Sequence, residues 1–176
     1  MPLLSIPWNA KTGLAVAVGS GVLTCLLGWL AGPMAPIIND VSTDLENPPA
    51  FTTVQVGELS AAFKALIRAH YPDLQPQVFD SKDVPKVFET AVRVAKAQRR
   101  WTVVKEDAAA GTVEGYSVTQ LMRFKDDWVV RVAELRGGGA VVDMRSRSRL
   151  GKGDLGANAA RIRTFLAALK GELEAE

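Results

Sequence analysis

The sequence predicts an α+β domain, an antiparallel sheet with helices on one face, carried behind a single membrane-crossing helix. Three observations predict it. No charged residue stands between Lys11 and Asp40, and an apolar run of about 20 residues is long enough to cross a bilayer. The segments after it show first a helical period and then, from Trp101, an alternation of two. The order helix, helix, strands, helix has no alternating strand–helix pattern of the kind that builds parallel sheets.

The span is assigned to residues 12–38, after a short cytoplasmic N-terminus at 1–11. Within it lies GLAVAVGSGVLTCLLGWLAGPMAPII, with Trp8 and Trp29 near its ends, where amphipathic rings favour the interface, and Pro33 and Pro36 closing it. A cleaved signal peptide has an apolar core of about 7–15 residues, and this run is longer, which predicts a retained anchor. Cys25 lies mid-span after Thr24, which does not fit a lipoprotein signal. Lys11 precedes the helix, while Asp40, Asp44 and Glu46 follow it with no Lys or Arg until Lys64. That bias predicts a single-pass protein of the inner (cytoplasmic) membrane, N-terminus cytoplasmic and domain periplasmic. Ala17, Gly21, Cys25, Gly28 and Gly32 form a stripe of small residues on one helix face, which lets a second helix approach closely in lipid.

Residues 39–57 contain Pro48 and Pro49 and are predicted to be an extended tether. The soluble domain is assigned to 58–176. Leu59, Ala62, Phe63, Leu66 and Ile67 are spaced for one helix. DLQPQVFDSKD reads as loop. Asp83 is placed to cap a second helix, with Pro85 in its first turn and Val84, Val87, Phe88, Ala91 and Ala95 on its apolar face. Four strands follow: WTVVKED; GTVEGYSVTQLMRF, bent near Gly115; DWVVRVAEL; and GAVVDMRSRSRL, the last two joined through Gly137 to Gly139. A final helix runs from about Gly156 to Glu174, with Ile162, Phe165, Leu166 and Leu169 on one side. The sheet is thus expected to have four, or four to five, strands.

The composition bounds function. Charge is nearly balanced, 21 Lys+Arg against 19 Asp+Glu, which argues against a nucleic-acid binder. One cysteine and one histidine, Cys25 and His70, leave no thiolate zinc site and no imidazole cluster. His70 closes a helix as a C-terminal charge. GKGDLG, at Gly151 to Gly156, fits the dinucleotide fingerprint G-x-G-x-x-G, but that site needs a β-α-β unit and a pyrophosphate free of nearby carboxylate. Here the helix is the last element and Asp154 would meet the phosphates, so Gly151 and Gly153 are expected to turn the chain, with Asp154 or Asn158 capping the helix. No dinucleotide, metal or other cofactor is expected.

Arg145, Arg147 and Arg149 share one strand face, opposite Val142, Met144, Ser146 and Ser148. They are expected to point away from the helices, as a contact for a partner or an anion, or as a solvated row paired with Asp127, Asp143 or other acids. Asp126 and Asp127 fall on opposite faces of a strand and cannot easily act on one atom; a turn role or pairing with arginine is expected.

DVSTDLENPPAF, RFKDDW and RSRSRLGKGDLGANAARI together resemble the bacterial and plastid family known as domain of unknown function 1499. The matching residues are Asp40, Thr43, Asp44, Pro48, Pro49 and Phe51; then Arg123, Phe124, Asp126 and Asp127; then Arg145, Ser146, Ser148, Arg149, Gly151, Asp154, Gly156, Asn158, Arg161 and Ile162. The resemblance implies the α+β fold over residues 40–176 and no assigned activity. An Asn-Cys-Val-Ser-Ser-like stretch found in many members is replaced here by YPDLQPQVFDS. The family's setting beside membranes implies a bioenergetic one. The expectation is a non-enzymatic accessory or assembly subunit of a larger membrane complex, an energy-converting one such as a photosynthetic reaction centre with its antenna. Its partners would be integral membrane subunits and the bilayer. The alternative is a tethered periplasmic domain that binds an anionic small molecule or lipid headgroup.

Overall fold

A computed structural model describes residues 36–175. Its elements are β1 (Asp40–Ser42), α1 (Ala61–His70), β2 (Gln77–Phe79), α2 (Val84–Ala97), β3 (Trp101–Asp107), β4 (Thr112–Val118), β5 (Lys125–Glu134), β6 (Ala140–Ser148) and α3 (Ala157–Ala175). The domain is α+β, and its sheet is antiparallel throughout with six strands.

β3 to β6 form a meander of neighbours. The outer edge of β6 is shared by two short strands placed end to end. β1 pairs with Arg145 to Arg147, and β2 with Ala140 to Val142. These two strands exceed the expected count. Each is three residues long, too short for an alternation to register in the sequence. The expected tether therefore contributes β1 to the sheet, and the expected loop DLQPQVFDSKD contributes β2.

One face of the sheet carries Val113, Trp128, Val130, Val132, Val142 and Met144, all buried. The buried sides of α2 (Val87, Phe88, Ala91, Val94, Ala95) and α3 (Ile162, Phe165, Leu169, Leu173) cover it. At its centre Trp128 lies 4.6 Å from the Trp101 ring, and Trp101 stacks on Phe165 at 5.9 Å. Gly115 sits beneath the Trp128 indole. A Cβ there would come within 2.1 Å of the Thr102 carbonyl oxygen and 2.5 Å of Trp128 Cζ2. The bend expected near Gly115 falls across the ladder instead, as a register shift between Val103 and Lys105 that leaves Val104 as the extra residue.

The second face is covered by chain without regular structure. After β1, residues 43–57 run across it as a strap, bound through Thr43, Thr52 and Thr53. Ser60 caps α1, its hydroxyl accepting from the Phe63 N–H at 3.2 Å. Asp83 holds the N-cap position of α2, but its carboxylate makes no cap hydrogen bond. The expected extension of the second strand to Phe124 stops at Val118. Thr119 closes a loop there, its N–H donating to the Phe124 carbonyl at 2.8 Å and its hydroxyl accepting from the Phe124 N–H at 2.9 Å.

Among the described residues no helix is long and apolar enough to cross a membrane. The predicted span lies almost wholly outside them, as does the stripe Ala17, Gly21, Cys25, Gly28 and Gly32. Its last residues, 36–38, are described and are not helical. Ile38 is fully buried in the domain core, and its carbonyl accepts from the Asp154 N–H at 3.0 Å.

Candidate functional site

The three motif segments meet around β6, and the sheet's pleat divides their side chains between two faces. On the helix side Asn158, fully buried, reaches back under the sheet from the first turn of α3. Its Oδ1 accepts from Ser146 Oγ at 2.8 Å, and its Nδ2 donates to Ser148 Oγ at 3.0 Å and to the Asn39 carbonyl at 3.2 Å. Arg161, one turn further on, donates to Asn158 Oδ1, to Ser146 Oγ at 2.9 Å and to Asp126 Oδ2 at 2.6 Å. Every member has a partner, which is the condition for a buried polar network to fix one geometry.

On the strap side Arg145 grips Asp40 with both arms of its guanidinium, Nε to Oδ1 at 2.9 Å and Nη2 to Oδ2 at 2.7 Å. It also donates to the Gly57 carbonyl at 3.0 Å and lies 5.4 Å over the Phe51 ring. Both side chains of the pair are nearly inaccessible, at 5% and 6%. Arg149 forms the same two-armed bond with Asp127 across the ladder, the closest contact 2.7 Å. Asp126 and Asp127 thus face opposite sides of β5, each held by an arginine. Arg131 is shared between Asp143 at 2.8 Å and Asp44 at 3.0 Å. Burial pushes the Asp143 carboxyl above the usual carboxylate range, an effect that Arg131 only partly offsets.

The arginine row is therefore not a uniform outer surface. Arg145 is enclosed between the sheet and the strap and is committed to Asp40. Arg149 is committed to Asp127. Arg147 is 37% exposed and reaches Asp40 only at 3.9 Å, so it is the member of the row with the weakest carboxylate contact. The expected pairing of this row with Asp143 does not occur, because Asp143 turns to Arg131. The sequence carried no sign of Asp40 as the partner of Arg145, since the two lie 105 positions apart.

Two strands from Arg145, across Val129 of β5, Glu114 is 1% exposed. Its carboxylate accepts from the backbone N–H groups of Thr52 and Thr53 at 2.9 and 3.0 Å and from both threonine hydroxyls. Burial raises its pKa, but these hydrogen bonds outweigh burial and hold it below the ordinary 4.5. A lowered folded-state pKa stabilises the fold above the unfolded value, and the contribution disappears as pH falls through the folded one. Glu114→Gln is expected to cost about 1.5–3 kcal/mol near neutral pH. Urea titrations at several pH values should show the gap from wild type close below about pH 4.5.

GKGDLG turns the chain from β6 into α3. Gly151 and Gly156 have φ of +87° and +84°, which glycine adopts at little cost. Gly153 packs beside Ile37, where an added Cβ would lie 3.6 Å from its Cα. Asp154 is the cap: Oδ1 accepts from the Gly156 N–H and Oδ2 from the Asn158 N–H, both at 2.9 Å. These are the N–H groups a bound phosphate would use, and a carboxylate already occupies them. Asn158, the other candidate cap, belongs to the buried network. His70 ends α1 in an exposed position.

A family model described as "Protein of unknown function (DUF1499)" matches residues 40–169. No curated protein matches the chain. The match begins at Asp40, the first residue of β1, and takes in the strap together with the sheet and most of α3.

Proposed function

The chain belongs to the DUF1499 family, and from that premise we propose that it is a non-enzymatic, single-span accessory or assembly subunit of a larger membrane protein complex. The observation that carries this reading is the use made of the motif's charged side chains. Arg145 binds Asp40, Arg149 binds Asp127, Arg161 binds Asp126, and Asp154 caps α3. These groups are spent on each other in fixing the strap, the sheet and the last helix. A domain built this way supports a scaffolding role, in which a rigid body is held against partner subunits. The commitment of Arg145 and Arg149 weighs against the alternative of an anion held along the arginine row.

The apolar run from residue 12 up to the start of the domain at Pro36 supplies the anchor in this reading, with the N-terminus cytoplasmic and the domain periplasmic. The stripe from Ala17 to Gly32 supplies the contact with partner helices. An energy-converting complex, a photosynthetic reaction centre with its antenna among them, is the setting in which to look first. Purification of the tagged full chain from its own membranes in mild detergent tests the proposal. Integral membrane proteins in fixed ratio to the chain are expected, and a chain that purifies alone would contradict it.

A further inference from the structure

The end of the sheet where the chain enters at Pro36 is unlike the rest of the domain surface. Leu121 and Met122 at the tip of the β4–β5 loop, Phe124 beside them, Leu150 and Leu155 in the β6–α3 turn, and Ile37 at the entry are all exposed large apolar side chains, Leu121 at 87% and Leu155 at 90%. Five of the six line or flank one groove of about 350 Å³, and Ile37 lies against Gly153 on its wall. The tips are held out by their backbone. Thr119 pins the β4–β5 loop shut, and Arg123 and Leu155 both adopt left-handed conformations, with φ of 56° and 53°. Such conformations are unfavourable for side chains other than glycine.

The charge of this end is one-sided. Arg100, Arg123, Lys125 and Lys152 are exposed around the apolar tips. The acids of the same end are turned inward: Asp126 to Arg161, Asp127 to Arg149, and Asp154 to the start of α3. Apolar tips ringed by cations match a bilayer interface, where the apolar groups enter the acyl boundary and the cations meet phosphates. A protein partner would have to offer an acidic collar around an apolar plug. The point of chain entry favours lipid, because the residues directly before Pro36 in sequence are the uncharged run.

The geometry points to a bilayer surface bearing anionic headgroups as the occupant of this end. The domain then stands on the membrane by its 121–124 and 150–155 loops instead of hanging from a free linker. The inference rests on the membrane reading above, and the test separates the two.

The test uses the full chain, with Cys25→Ser, reconstituted in phosphatidylcholine vesicles with or without phosphatidylglycerol. An environment-sensitive fluorophore is attached at Met122→Cys or at Arg136→Cys, an exposed position in the hairpin at the opposite end of the sheet. Flotation with the vesicles reports the anchor alone. In anionic vesicles the Met122→Cys label is expected to be blue-shifted and quenched by nitroxide-bearing lipids about threefold more than the Arg136→Cys label. Arg123→Gln/Lys125→Gln/Lys152→Gln is expected to remove about half of that difference. Chains that float but carry equally water-exposed labels at both positions would overturn the docking and leave the anchor standing. Chains that fail to float would overturn the membrane reading itself. A blue-shifted label that lipid nitroxides do not quench would mean that protein, the apolar run of the same chain or a second copy, covers the groove, and would also overturn the docking. Equal quenching in neutral and anionic vesicles would overturn the headgroup contact.

Discussion

Arg145→Met is expected to destabilise the domain by about 3–5 kcal/mol, the usual cost of removing one partner of a buried ion pair. The substitution strands the Asp40 carboxylate, 6% accessible, with only Arg147 at 3.9 Å, and frees the Gly57 carbonyl that holds the end of the strap. Most of the loss comes from the uncompensated charge. The double variant Asp40→Leu/Arg145→Met should therefore be more stable than Arg145→Met alone, because apolar groups of similar volume replace a buried pair at little net cost. Denaturant unfolding of the four proteins of this cycle, followed by near-ultraviolet circular dichroism, checks the prediction. Equal stability of Arg145→Met and wild type would mean that the pair is open to water.

Trp128→Ala is expected to cost a similar amount, about 3–5 kcal/mol. The indole is fully buried. It fills the space above Gly115, where no side chain fits, and it packs against Trp101 at 4.6 Å. Its removal leaves a cavity that the sheet cannot close, since the β3 and β4 backbones already touch at Gly115. Trp128→Phe keeps most of the packing and removes a buried indole N–H that has no partner. Its cost should be a fraction of that of the alanine variant. Thermal unfolding of the two variants decides between this account and one in which the N–H matters, where Trp128→Phe would cost nearly as much as Trp128→Ala.

The helices and the four long strands were legible in the sequence because each repeats its period over several residues. α2 shows Val87, Phe88, Ala91 and Ala95 on one face, and β6 shows Val142 and Met144 alternating with Asp143 and Arg145. The Asp154 turn was legible for the same reason: capping is a local relation, settled within four residues. β1, β2 and the strap were not legible. Their order comes from contacts across the whole chain, such as Thr52 and Thr53 to Glu114 at separations of 62 and 61, and no local period records them. The arginine row shows where face assignment stops. Alternation placed Arg145, Arg147 and Arg149 on one side of β6, but it could not say that the strap would cover Arg145 and leave Arg147 at its edge. The loop at 119–124 failed in the opposite way. Its apolar letters continue the strand period, while the Thr119 hydrogen bonds and the left-handed Arg123 turn the chain. The apolar tips that result carry the proposed contact with the bilayer.

The central claim is that the chain is held in a membrane complex through its small-residue helix face. The most direct measurement is co-purification of the tagged full chain from native membranes, compared between wild type and Gly28→Leu/Gly32→Leu. The account predicts that the variant still fractionates with membranes but loses the integral partners that accompany the wild type. The same partners in the same ratio with both chains would contradict it.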